Sequence, residues 1–295
     1  MSRISEALSK AGEEKKARKN ETVFPVPPSR LKKPPLEKGL KDRIYIAKAT
    51  DDSGIDPRIV TYFDPTAVIS EQYRGLRTNI LLNNLSKPFK TIAVCSSLQG
   101  EGKTVTAVNL AISMASGLDR TVLLVDCDLR GGTIHQLLAL NPAIGLSDVL
   151  ANGATFESAF CGTRINNLTV LPRGPISHNP SELLSSKKMR RLLEELRAKF
   201  DYIILDSSPV MPLTDACILS SQVDGVIFIV QAHKTQRRVV KEARNMLEHV
   251  HAKILGFVLT QTKEYVPKYT YRDIQESQPD FPGIVADVIK SPFSS

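Results

Sequence analysis

Residues 94–104, Val-Cys-Ser-Ser-Leu-Gln-Gly-Glu-Gly-Lys-Thr, run from an apolar stretch straight into a Gly-x-Gly-Lys-Thr turn. No other stretch constrains the fold as much, because such a turn needs a strand before it and a helix after it. Gly100 and Gly102 let the backbone curl so that successive N–H groups and a helix N-terminus aim at phosphate oxygens. Gln99, Gly100, Glu101, Gly102, Lys103, Thr104 and Val105 thus make a phosphate-binding segment for a nucleoside triphosphate. Lys103 reaches the β- and γ-phosphates, and the Thr104 hydroxyl ligates Mg²⁺. One position departs from the general pattern: five residues before Gly102 stands Ser97 rather than Gly. The loop tolerates it as long as Ser97 avoids positive φ.

The sequence around this turn alternates with the rhythm of a parallel sheet covered by helices. Helical spacing occupies Ser70–Leu82, 103–117, 133–140, 181–198, 214–221 and 236–250. Apolar strand-length runs occupy Thr91–Cys95, 121–126, Leu168–Leu171, 201–206, 225–230 and 254–259. The expected fold is α/β, a P-loop NTPase with a mostly parallel central sheet flanked by helices on both faces. Right-handed crossovers place its ligand at the carboxyl ends of the strands.

The net charge of +8 is unevenly placed, with thirteen Lys/Arg against six Asp/Glu in residues 1–50 and 26 against 25 in the remaining 245. The basicity therefore belongs to an N-terminal arm and not to the body of the chain. Within the arm, residues 1–19 carry a thin helical stripe of Ile4, Ala7, Leu8 and Ala11, and a Pro- and Lys-rich stretch from Pro25 to Pro35 makes a stiffened linker. Three segments are expected: an arm and linker over 1–47, a P-loop domain over 48–262, and a flexible tail over 263–295. Cys95, Cys127, Cys161 and Cys217 are widely spaced and form no C-x-x-C pair, as for reduced thiols in a cytoplasmic protein. The N-terminus has charges at Arg3, Glu6 and Lys10 where a secretory signal needs an apolar core. The apolar run Val226–Val230 is too short to cross a bilayer. Any membrane contact is thus expected to be indirect or through the basic arm, and no nucleic-acid partner is expected.

The run Val122-Leu-Leu-Val-Asp-Cys-Asp-Leu-Arg130 ends in two carboxylates one residue apart. Period-two geometry puts Asp126 and Asp128 on one side if the strand persists. Tyr202-Ile-Ile-Leu-Asp206 delivers a third acid after an apolar run, in the usual form of a Walker B carboxylate that holds Mg²⁺ through water.

With these residues in view, the chain resembles the bacterial tyrosine kinases (BY-kinases) of exopolysaccharide and capsule export, P-loop proteins unrelated to the eukaryotic kinases. The resemblance spans about residues 65–262 and includes Ser-Leu-Gln-Gly-Glu-Gly-Lys-Thr, Leu-Leu-Val-Asp-Cys-Asp-Leu-Arg, Asn179-Pro-Ser-Glu-Leu-Leu-Ser185 and Leu205-Asp-Ser-Ser-Pro209. Glu71-x-x-Arg74-x-x-Arg77 is similar to the family's subunit-contact motif. By spacing alone it would be an ordinary i, i+3 series worth a few tenths of a kcal/mol.

The resemblance implies autophosphorylation in trans, in which a C-terminal tyrosine of one subunit enters the site of its neighbour in a homo-oligomeric ring. By the same resemblance Lys103 and Thr104 bind ATP·Mg²⁺, Asp128 and Asp206 position the metal, and Asp126 accepts the tyrosine proton. A tyrosine hydroxyl, with a pKa of about 10, needs such help at neutral pH. The family further implies a separate membrane adaptor of the polysaccharide co-polymerase type, recruitment to the inner face of the membrane and control of polysaccharide export. The acceptor candidates are Tyr265, Tyr269 and Tyr271, and the last 24 residues hold no tyrosine. Gln99 stands where the family often has Pro, Gly132 where Pro often comes after the Asp-x-Asp-x-Arg segment, and Thr260 where an Asn often helps recognise the base.

Two other functions fit parts of the sequence. A positioning or partition ATPase switch has a similar fold, but its signature Lys five residues before the P-loop Lys is here Leu98. An ATP-binding regulatory subunit with weak kinase activity would suit the sparse tyrosine tail.

Overall fold

A computed structural model describes residues 54–83, 89–118 and 120–262 of the chain. The arm and linker of 1–47 and the tail with Tyr265, Tyr269 and Tyr271 lie outside the described residues.

Seven strands form one sheet: β1 (Thr91–Ser96), β2 (Val122–Asp126), β3 (Cys161–Gly162), β4 (Leu168–Leu171), β5 (Tyr202–Asp206), β6 (Gly225–Gln231) and β7 (Ile254–Thr260). Their order is β3-β4-β2-β5-β1-β6-β7, and every neighbouring pair is parallel except β3 against β4. β1, β2 and β6 are buried at every residue, which is why their sequences are continuous apolar runs and not alternating ones. Successive residues serve opposite faces. Ala93, Cys95, Leu123, Leu205 and Phe228 join one core, while Ile92, Val94, Leu124, Ile204 and Ile227 join the other.

The helices are α1 (Val60–Phe63), α2 (Val68–Asn83), α3 (Lys103–Leu118), α4 (Ile134–Leu137), α5 (Leu146–Ala151), α6 (Pro180–Ser185), α7 (Lys187–Lys199), α8 (Asp215–Ser220) and α9 (Arg237–His249). α3 packs Ala107, Leu110, Ala111 and Met114 into the second core together with Ile80 of α2. On the other face, α7 contributes Leu192, Leu193 and Leu196, and α9 contributes Val240, Ala243 and Leu247. Spacings of three and four residues are those of an amphipathic helix laid on a sheet.

The helix expected over 181–198 is instead two helices. Ser186 leaves the helical region at ψ 156°, and its side chain accepts from the Met189 amide to start α7. A serine oxygen that caps a new first turn competes with continuing the old one. The helix expected over 133–140 contracts to Ile134–Leu137. Cys161 is only partly buried, whereas the other three thiols are buried and all four are free. Among the described residues no helix is long and apolar enough to cross a membrane.

Candidate active site

The strand β1 ends at Ser96, and the turn to α3 is built by positive φ at Gly100 (84°) and Gly102 (93°). A Cβ added at Gly100 would meet nothing within 4 Å, so the left-handed backbone is what calls for glycine there. Ser97 is buried and is not among the residues with positive φ, which satisfies the condition its departure from Gly imposed. Gln99 and Gly100 are exposed, while Lys103 is buried at the first position of α3. The first turn of a helix leaves amides free for an anion.

Glu101 is 2% exposed. Its carboxylate accepts from the Leu98 amide at 2.7 Å, from the Gln231 amide at 3.3 Å and from the Thr235 hydroxyl. Thr260 packs on the same loop, its methyl 3.4 Å from where a Cβ on Gly102 would lie. The side chain of Glu101 therefore shapes the loop from behind.

Two carboxylates meet the lysine, and a third stands beside them across the strands. β2 and β5 are in register with Asp126 opposite Asp206, and Lys103 Nζ lies 3.3 Å from Asp206 Oδ1 and 3.9 Å from Asp128 Oδ2. Lys103 Nζ is also 3.3 Å from Thr104 Oγ1. Asp128 reaches the cluster by a route other than strand alternation, because β2 stops at Asp126. Beyond it the chain turns, with Gly131 donating to Asp128 Oδ1 at 3.0 Å and Gly132 to the Asp128 carbonyl at 2.7 Å. Asp126 Oδ2 accepts from the Ile134 amide at 3.2 Å. A Cβ on Gly132 would fall 2.0 Å from Asp126 Oδ1, so glycine there is a steric requirement of this site.

Burial, followed by the charge of Asp206, pushes the Asp126 carboxyl up to about 8. Burial also raises Asp206 against the pull of Lys103. Burial works to discharge Lys103, yet Asp206 and Asp128 outweigh it and hold its pKa above the ordinary lysine value. Four buried polar atoms around the loop have no hydrogen-bond partner: Ser97 Oγ, Asp126 Oδ1, Asp206 Oδ2 and Ser208 Oγ. Among the described residues no three His, Cys, Asp or Glu side chains converge to hold a metal alone. Mg²⁺ fits such a place, since it keeps several waters and takes one or two carboxylates together with substrate phosphates.

A model of the AAA domain family matches residues 89–256. Tyrosine-protein kinase YwqD of Bacillus subtilis (strain 168) is 36% identical over 211 residues, covering 72% of this chain and 89% of that protein. The chain belongs to the bacterial tyrosine-protein kinases. Solved structures agree. The chimerical protein CapA2B2 shares 34% identity at a TM-score of 0.66, covering 68% of this chain and 88% of that one. The kinase domain of Escherichia coli tyrosine kinase ETK shares 27% identity at a TM-score of 0.68, covering 75% and 86%. The P-loop NTPase fold expected from the sequence is the fold of this tyrosine kinase.

In the kinase, Glu71 and Arg74 pair on the surface of α2, and Arg74 Nη1 also donates to the Pro65 carbonyl at 2.6 Å. The pairing with Arg74 holds the Glu71 carboxyl below its ordinary value. Arg77 turns inward and donates to the Ser113 carbonyl of α3 at 2.6 Å. A Cβ on Gly117 would lie 1.6 Å from Arg77 Nη1. The three residues thus divide into a surface pair and a brace against α3.

Some residues that shape the site carry no signal of that role in the sequence. Arg130 belongs to the Asp-x-Asp-x-Arg run but signals nothing about its partner, Asp215. Thr235 and Gln231, which hold Glu101, have no motif at all.

Proposed function

We propose that this tyrosine kinase transfers the γ-phosphoryl group of ATP to tyrosine hydroxyls in the C-terminal tail of a neighbouring copy. The observation that carries the reading is the convergence of Lys103 on Asp128 and Asp206, with the unpartnered Asp126 Oδ1 buried beside them. Bound ATP·Mg²⁺ supplies the phosphoryl group and spreads its developing charge. The P-loop residues 99–105 cradle the phosphates, with the Lys103 ammonium directed at the β- and γ-oxygens. The Thr104 hydroxyl, Asp128 and Asp206 hold the Mg²⁺. Asp126, in its ionised form, accepts the acceptor tyrosine's proton, and burial beside the charge of Asp206 makes that carboxylate a stronger base than an ordinary aspartate. Positioning and charge neutralisation supply most of the rate.

Around this core we place an arm and linker over 1–47, the kinase domain over 48–262 and a tail over 263–295. Tyr265, Tyr269 and Tyr271 are the acceptors. The ring assembles through Glu71, Arg74 and Arg77, and each tail phosphate adds nearly two negative charges that drive subunits apart. The family to which the chain belongs supports a role in capsule or exopolysaccharide polymerisation and export. The kinase works there from the inner face of the membrane with a separate adaptor. A second reading, an ATP-binding regulatory subunit with weak transfer, draws on the tail's lack of tyrosine after Tyr271.

Mixing wild-type protein with a mass-tagged Lys103→Met chain tests transfer in trans. Phosphotyrosine on the tagged chain only when wild type is present is the expected result. Label confined to the wild-type chain would mean transfer within one subunit, and no label with nucleotide binding intact would favour the regulatory subunit.

A further inference from the structure

The side chain of Asp215, at the first position of α8, is 2% exposed, far more buried than a surface ion pair requires. Its Oδ2 accepts from Arg130 Nε at 2.7 Å and its Oδ1 from Arg130 Nη2 at 3.4 Å, a two-pronged grip on one guanidinium. The Ser181 hydroxyl, at the start of α6, also donates to Asp215 Oδ1, and Arg130 Nη2 lies 3.4 Å from that hydroxyl. One carboxylate therefore fastens three loops at the carboxyl edge of the sheet: the turn after β2, the entry to α6 and the segment after β5.

Arg130 stands two residues beyond Asp128 in the turn whose amides hold the Asp128 oxygens. The segment after β5 is tied at its near end to the phosphate loop, with the Val210 amide donating to the Ser96 carbonyl at 2.8 Å and the Met211 amide to the Ser97 carbonyl at 3.1 Å. At its far end stands Asp215. A continuous chain of contacts thus runs from Ser96 and Ser97 through residues 210–215 to Asp215, then to Arg130 and the Asp128 turn.

We propose that Asp215 is a positioning residue for phosphoryl transfer: by gripping Arg130 it fixes the Asp128 turn relative to the phosphate loop. This rests on the reading of Asp128 as a metal-holding residue. A carboxylate that must meet a phosphate-bound cation tolerates little drift, since a misplacement of about 1 Å costs on the order of a hundredfold in rate. The Arg130 side chain, 41% exposed, would wander in solvent without its buried partner. Asp215 touches no reacting atom, so its effect falls on turnover and on the metal, and the loop that binds the phosphates stays as it is.

The test compares wild type, Asp215→Asn, Arg130→Ala and the double variant for autophosphorylation rate, KM for ATP, the Mg²⁺ concentration for half-maximal rate and the Mg²⁺ affinity of the ADP-bound protein by calorimetric titration, with Asp128→Ala as reference. Asp215→Asn and Arg130→Ala are each expected to lower kcat roughly ten- to a hundredfold. KM for ATP should stay within about twofold, the Mg²⁺ requirement should rise, and the double variant should be no worse than either single one. If Asp215→Asn fails to fold, the double variant leaves no buried charge without its partner and carries the comparison. A kcat within about twofold of wild type in that variant, while Asp128→Ala changes the Mg²⁺ requirement, overturns the positioning role alone. An Asp128→Ala protein with a wild-type Mg²⁺ requirement overturns the metal reading and removes the route from Arg130 with it.

Discussion

The Thr260 hydroxyl donates to the Glu101 carbonyl at 2.7 Å, which joins the end of the last strand to the phosphate loop of the first. The carboxylate of the same Glu101 reaches the Leu98 amide and the turn after β6. A loop of glycines, free to take many shapes on its own, is thereby held in one by residues 130 and more positions away in sequence. Binding to a loop already in shape avoids the entropy of ordering it.

Replacing Glu101 by Ala removes three acceptor contacts from a buried place. About 1.5 kcal/mol of nucleotide affinity, roughly tenfold in Kd, is expected to be lost, and the three donors left unsatisfied should lower thermal stability as well. Calorimetric titration with ADP and Mg²⁺ measures it. An unchanged Kd would mean that the loop keeps its shape without the carboxylate.

Gly132→Ala drives a methyl to within 2.0 Å of Asp126 Oδ1. The aspartate or the turn must move, and kcat should fall roughly a hundredfold. Steady-state rates beside a Gly131→Ala control, where an added Cβ meets nothing within 4 Å, separate this clash from general loop stiffening.

Asp126 sets a pH dependence of stability. Its folded value of about 8 lies above the ordinary aspartate value, so the folded protein holds a proton that the unfolded chain has lost between those limits. The contribution is complete below about pH 4 and disappears as pH rises through 8. Urea midpoints for wild type and Asp126→Asn at about pH 5, 7 and 8.5 should therefore diverge in favour of Asn as pH rises. The slope should be at most about 1.4 kcal/mol per pH unit in the ligand-free protein. Parallel curves would contradict the assignment.

Asn109 is fully buried on α3 with both ends of its amide in use. Oδ1 accepts from the amide of Thr61 at 3.0 Å and its hydroxyl at 2.9 Å, and Nδ2 donates to the carbonyls of Arg58 and Val105. Asn109→Ala strands these partners and should cost about 2 kcal/mol, a fall in Tm of roughly 5 °C. Differential scanning calorimetry would show it, and an unchanged Tm would mean that water replaces the amide.

The sequence disclosed what local chemistry dictates. Strands such as Val226–Val230 were legible because burial on both faces demands an unbroken apolar run, and the start of α3 because Gly-Lys-Thr has a specific geometry. Short elements escaped. α5 spans six residues and takes its start from Asp148 accepting the Gly145 amide, a signal shared with many turns. The division at Ser186 needed the knowledge that its oxygen faces the Met189 amide. Asp126, Asp128 and Asp206 could be picked out, but the turn that delivers Asp128 could not. The partners of Glu101 and Asp215 lie 130 and 85 residues away, and only the folded sheet brings them together.

Peptide mass spectrometry of the purified protein after incubation with ATP and Mg²⁺, beside Lys103→Met, tests the central claim most directly. Phosphate on Tyr265, Tyr269 or Tyr271 in wild type and its absence from Lys103→Met is the predicted result. Phosphotyrosine persisting in Lys103→Met, or none in wild type that binds nucleotide, would contradict the account.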